Sequence, residues 1–188
     1  MWCRSGRDLL IALGLALACA AQAEAASGPK AYAKLYPGLG HAPSHAQLTT
    51  WDIDVRADGA GLPAGSGDVA QGEALFADRC ASCHGDRGQN GIADRLVGGA
   101  GTLKSAKPVR TVGSYWPYAT TLFDYVRRAM PYNAPRSLAP SQVYSLCAYI
   151  LWLNRIVGRD ASLDRHSLPR VVMPNRHGFI DASRRPAL

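Results

Sequence analysis

Cys80-Ala81-Ser82-Cys83-His84 sets two thiols three positions apart and an imidazole directly after the second. Thiols at that spacing can add across the two vinyl groups of one porphyrin, and the imidazole then lies under the iron as an axial ligand. With 5 Cys and 5 His in 188 residues, chance supplies only about 0.003 such pentapeptides per chain. Zinc and a thioredoxin-type redox pair are the competing chemistries for two such cysteines. Zinc would want a second ligand pair, and no other Cys-x-x-Cys is present. A redox pair would want an alternating strand–helix pattern, which the sequence does not show. The residues point to one covalent haem c.

A haem iron that carries electrons needs a sixth ligand, and a methionine thioether is the usual one. Besides Met1 the chain holds only Met130 and Met173. Met130 ends a helical stretch and is followed by Pro131, which stops the helix and starts a rigid loop. Met173 lies in a Pro-flanked tail, so Met130 is the expected metal ligand opposite His84. A bland role for Met130, as a core residue at a helix end, competes with this. His41, His45, His166 and His177 are outside candidates, more simply read as exposed or satisfied histidines in the arms. Arg110, Ser114, Tyr115 and Trp116 lie between the haem motif and Met130 and are candidates to bond the haem propionates. A surface loop packed on itself is the alternative.

Three helices must position these groups. Gly67–Ala81 reads as a helix capped by Asp68, with Val69, Gly72, Leu75 and Phe76 at helical spacing. Thr120–Ala129 carries Leu122, Phe123 and Val126 on one side, and Pro140–Ile156 begins with proline, carries Leu146, Tyr149, Ile150 and Leu153 as a stripe and stops at Gly158. Residues 24–66 form an N-terminal arm with a short helix after Ser44-His45-Ala46-Gln47, a capping box. Residues 159–188 have no helical period. Trp51, Trp116 and Phe179 favour straps lying on the domain over disordered linkers.

Residues 1–23 read as a secretory signal: Arg4 and Arg7, then the apolar run Leu9–Ala21, then Ala21-Gln22-Ala23 as a small-x-small exit. An acylated Cys19 and an uncleaved anchor are the minority alternatives. The apolar run is short for a bilayer span, so no membrane span is expected after cleavage. Cys80, Cys83 and Cys147 then remain; three thiols cannot all pair internally, and Cys147 reads as a buried inert thiol. The 47% hydrophobic content suits one folded domain. The net charge of +7 permits several anionic partners. Nucleic acid is disfavoured, because the basic residues are not interleaved with aromatics. Lys104, Lys107, Arg110, Arg127 and Arg128 read either as a solvated face or as a basic region steering an acidic redox partner.

The order helix, Cys-x-x-Cys-His, loop, Met-Pro, helix resembles a class I cytochrome c over residues 68–157. The resemblance implies an all-α fold of three or more helices around one covalent haem, with extended N- and C-terminal arms and the cytochrome domain at 67–158. It also implies that the first and last helices cross at Gly72, Phe76 and Tyr149. The stretches Trp51–Arg56, Thr111–Tyr118, Arg127–Pro131 and Met173–Phe179 are similar to the cytochrome subunit of Sox-type sulfane dehydrogenases, and sulfite dehydrogenase cytochromes share much of this pattern. The chain departs from those families in having one Cys-x-x-Cys-His where the Sox subunit usually has two haem domains. It also has no proline a dozen residues after the histidine. There it reads Ala93-Asp94-Arg95-Leu96-Val97-Gly98, so some other backbone carbonyl must accept from the imidazole. The resemblance implies a periplasmic electron-transfer protein with no catalytic residue of its own. It would be partner or subunit of a molybdenum dehydrogenase oxidising a sulfur compound, with a downstream cytochrome as acceptor. Service to another periplasmic dehydrogenase, or a haem sensor or enzyme with a labile sixth ligand, are the alternatives.

Overall fold

The computed structural model describes residues 40–180. The expected signal at 1–23 and the last residues of the tail lie outside them. The chain divides into two units, residues 1–48 and 49–188. The Ser44 hydroxyl accepts from the Gln47 N–H (3.3 Å) and the Ser44 N–H donates to Gln47 Oε1 (2.8 Å), opening the short helix α1, His45–Trp51. None of its residues is buried.

The second unit is built on α2 (Val69–Arg79), α3 (Ala81–His84), α4 (Ala119–Ala129) and α5 (Pro140–Leu153), with a two-stranded ladder of β1 (Ser66–Asp68) and β2 (Ser162–Asp164). Asp68 and Gln71 cap α2 reciprocally: Asp68 Oδ1 accepts from the Gln71 N–H (2.8 Å), and the Asp68 N–H donates to Gln71 Oε1 (3.3 Å). Pro140 opens α5, and Gln142 Oε1 accepts from the Ala139 N–H (2.8 Å). α4 is amphipathic and buries Leu122, Phe123 and Val126, whereas α5 is buried continuously from Val143 to Leu151 and is the central helix.

α5 crosses α2 at Gly72. A Cβ there would run into the Ser145 carbonyl, and the Tyr149 Cβ lies within 2.8 Å of that position. Only glycine lets the backbones come this close. Beside it the Phe76 and Tyr149 rings meet with centroids 5.3 Å apart. The crossing implied by Gly72, Phe76 and Tyr149 is therefore present.

Two helix ends differ from the sequence expectation. The run toward Ala81 breaks at Cys80 (φ −125°, ψ −34°), so the haem motif occupies its own short turn. α5 stops at Leu153, not near Gly158, because the Asn154 carboxamide donates to the Ile150 carbonyl (2.9 Å) and Arg155 turns left-handed (φ 59°).

Residues 53–68 and 162–175 lie on the helices of this unit. β1 pairs antiparallel with β2, Gly67 opposite Leu163, which ties residues on either side of the domain. Residues 53–63 run along α4 and α5: Asp124 Oδ1 accepts from the Val55 N–H (3.0 Å), Arg128 pairs with Asp54 (2.6 Å), and the Tyr144 hydroxyl donates to the Pro63 carbonyl (2.9 Å). Leu168 and Met173 are buried, and the Asn175 amide donates to the Tyr115 carbonyl (2.7 Å). Among the described residues no helix is long and apolar enough to cross a membrane.

Candidate functional site

The turn α3 gathers the three residues of the motif. The N–H groups of Cys83 (3.2 Å) and His84 (3.0 Å) both donate to the Cys80 carbonyl. Cys80 is half-buried and Cys83 exposed, and neither is in a disulfide. Burial, with smaller contributions from Cys83 and Asp78, pushes the Cys80 thiol up to about 11, so it is held as neutral S–H.

The imidazole of His84 is oriented by the loop that follows. His84 Nδ1–H donates to the Asp94 carbonyl at 2.8 Å, which leaves Nε2 as the free ring nitrogen. Asp94 thus supplies the accepting carbonyl that the sequence left open. Its position in the loop is fixed by neighbours: the Ala93 N–H donates to the Cys83 carbonyl (2.8 Å), and the Leu96 N–H to the Gly88 carbonyl (2.8 Å). Gly91 packs so closely under the motif that a Cβ would collide with the Cys83 carbonyl. Sequence reasoning could narrow the accepting carbonyl to a stretch but not to a residue, because every residue carries the same backbone oxygen.

The two methionines differ in burial. Met173 is 1% exposed and sits in the core, whereas Met130, at the end of α4, is half-buried and its N–H donates to the Val126 carbonyl (3.1 Å). A sulfur that serves a ligand of the size of haem must face space outside the polypeptide, and Met130 meets that condition better. His41, His45, His166 and His177 all lie at the surface.

The four propionate candidates lie in one stretch with different engagements. Arg110 is exposed and stacks over the Tyr115 ring (5.5 Å), whose edge meets Phe179 (5.2 Å). The half-buried Trp116 meets Tyr125 of α4 edge-on (5.6 Å). Ser114 is buried, and its hydroxyl closes the loop, donating to the Val109 carbonyl (2.6 Å) and accepting from the Thr111 N–H (2.9 Å). In the basic region, Lys104, Lys107 and Arg110 are exposed. Arg127 donates to the Ile53 carbonyl (3.4 Å) and Arg128 is taken up by Asp54 and Asp124, so these two fasten the strap and do not form part of a free cationic face. Cys147 is fully buried, and burial pushes its thiol up.

The donor set fits covalent haem: two unpaired thiols on one turn, an imidazole held by its far nitrogen, and a half-buried thioether at a helix end. Among the described residues no group of three or more His, Cys, Asp or Glu side chains gathers to hold a metal ion by itself, which leaves the zinc reading without a ligand set.

Residues 69–154 match the family model for cytochrome c. The chain is also similar to one in the crystal structure of the sulfane dehydrogenase SoxCD from Paracoccus pantotrophus: 41% identity over 81% of this chain and 80% of that one, with a TM-score of 0.73. No curated protein matches.

Proposed function

The chain belongs to the cytochrome c family, and on that premise we propose that it is a single-haem, exported electron carrier serving a sulfur-compound dehydrogenase. It is a mostly helical haem electron-transfer protein. The haem-carrier part of this reading is carried by one observation, the 2.8 Å bond from His84 Nδ1–H to the Asp94 carbonyl on the Cys-x-x-Cys-His turn. It fixes the tautomer and the ring plane so that Nε2 is presented as ligand.

Haem c, when bound, would supply a centre that gains and loses one electron. The residues around it have separate tasks. Cys80 and Cys83 would hold the macrocycle covalently, and His84 and Met130 would ligate its iron, the Met130 thioether favouring the reduced state. Arg110, Tyr115 and Trp116 would bind the propionates, and Ser114 closes the loop that carries them. An iron held by both His84 and Met130 would leave no position for substrate, which places catalysis in a partner.

That partner is a molybdenum-dependent sulfane or sulfite dehydrogenase subunit in the periplasm, with a downstream cytochrome as acceptor. The similarity to a chain of SoxCD supports this, as does the exposed basic group Lys104, Lys107 and Arg110. The native protein, isolated without denaturant, is expected to carry a covalent haem by mass, to be coloured, and to co-purify with a molybdenum-containing protein. A colourless protein of unadded mass overturns the carrier reading; a holoprotein whose partner lacks molybdenum overturns only the dehydrogenase assignment.

A further inference from the structure

Asn154 ends α5, and its carboxamide makes three hydrogen bonds. Nδ2–H donates to the Ile150 carbonyl of its own helix (2.9 Å) and to the Leu96 carbonyl (3.1 Å), while Oδ1 accepts from the Gly98 N–H (3.1 Å). The partners fix the amide's orientation, since the reverse placement would set its NH2 against an N–H and its oxygen against two carbonyls. A helix end needs only the first bond. The other two reach a loop 58 and 56 residues earlier in the chain. From the other side the amide is covered by Gly113, where any Cβ would collide with it.

The loop that Asn154 grips is the one whose Asp94 carbonyl orients His84. Asp94 lies between fixed points. Ala93 is tied to Cys83, Leu96 to Gly88 and Asn154, and Gly98 to Asn154 and, through its carbonyl, to the Thr111 hydroxyl (2.6 Å). Two of the three are held by this one side chain.

We propose that Asn154 is a positioning residue for the axial imidazole: it does not touch His84 but holds residues 96–98 so that the Asp94 carbonyl stays in line with Nδ1–H. The inference rests on the haem-carrier reading above. A firm Nδ1–H bond makes the imidazole a better electron donor and favours ferric iron; loosening it lets the potential rise.

The test compares unmutated holoprotein with Asn154→Ala, Asn154→Asp and Leu163→Ala. Leu163 is buried in β2 and has no bond to the loop, so its variant reports general destabilisation. Two readings are taken: hydrogen exchange of the His84 Nδ1–H by NMR in the reduced state, and the midpoint potential. Asn154→Ala is expected to speed exchange about tenfold, equivalent to about 1.4 kcal/mol of lost hydrogen bonding, and to raise the potential. Asn154→Asp keeps an acceptor for Gly98 but sets a carboxylate oxygen against the Leu96 and Ile150 carbonyls, so it shifts both readings the same way. Leu163→Ala lowers stability and moves neither. Unchanged readings in the Asn154 variants, or equal shifts in Leu163→Ala, overturn the proposal. If Asn154→Ala yields no holoprotein, Asn154→Asp decides alone. Unmutated protein lacking covalent haem by mass defeats the haem reading instead, so the two failures are distinguishable.

Discussion

The two sides of the candidate haem site are held by different means. On the histidine side a loop is stapled by backbone bonds and by the Asn154 amide, and its Asp94 carbonyl fixes the ring of His84. On the methionine side the main fixed points are the end of α4, the buried Pro131, and one bond from the Ala134 N–H to the Pro131 carbonyl (2.9 Å). That end is braced from outside by Arg127 on the Ile53 carbonyl and Arg128 on the Asp54 carboxylate. The difference follows from the chemistry of the two side chains. An imidazole is planar and has a second nitrogen, so its rotation and tautomer must be set by a partner. A thioether has no second polar atom and an adaptable stem, so it needs only reach and packing.

The change expected to erase the comparison is Gly72→Val. It forces apart the α2–α5 crossing on which both sides depend, at a cost of more than about 3 kcal/mol. Denaturation followed at the haem absorbance should show little or no folded holoprotein. Met130→Ala separates the sides: haem attachment and imidazole ligation are expected to survive, while the Met–iron charge-transfer band disappears and carbon monoxide binds readily. A band that persists would transfer the sulfur to Met173. Arg128→Ala probes the outer brace alone. Arg128 and Asp54 are substantially exposed, so the loss should be about 1 kcal/mol or less and should shrink as salt rises; denaturant midpoints at low and high ionic strength measure it.

The smallest effect concerns the β2 end, which supports the entry into α2. The Asp164 carboxylate accepts from the Ser167 N–H and hydroxyl and from the His166 N–H, which hold it at about 2, below its ordinary 3.8. A depressed carboxyl contributes stability above its ordinary value and loses it as pH falls toward the folded one. Stability should therefore decline slightly from about pH 4 to pH 2, and Asp164→Asn should flatten that decline in acid titrations.

What could be read in the sequence was whatever is local. The haem motif, the Asp68 cap, the Pro140 start and the apolar stripes each depend on spacings within one element. The β1–β2 ladder was not legible, because three-residue strands carry no period and their partners lie almost a hundred positions apart. Arg127 and Arg128 invited a free basic face. The Asp124–Arg128 spacing of four already hinted at an ion pair, but Asp54, on a distant strap, gave no sign. Asn154 was overshadowed by Gly158 as a helix stop, although asparagine is itself a recognised terminator. Its grip on the loop depends on tertiary placement that no local pattern encodes.

The crossing at Gly72 gives this helical protein an unusual kinetic burden. Helical domains ordinarily assemble from contacts near in sequence and do so quickly. Here the first and last helices of the domain must find each other across about 60 intervening residues, so the entropy of closing that loop falls due before the buried contacts can offset it. Anything that links the middle of the chain early, as a rigid macrocycle tethered just after α2 would, shortens the conformational search that remains.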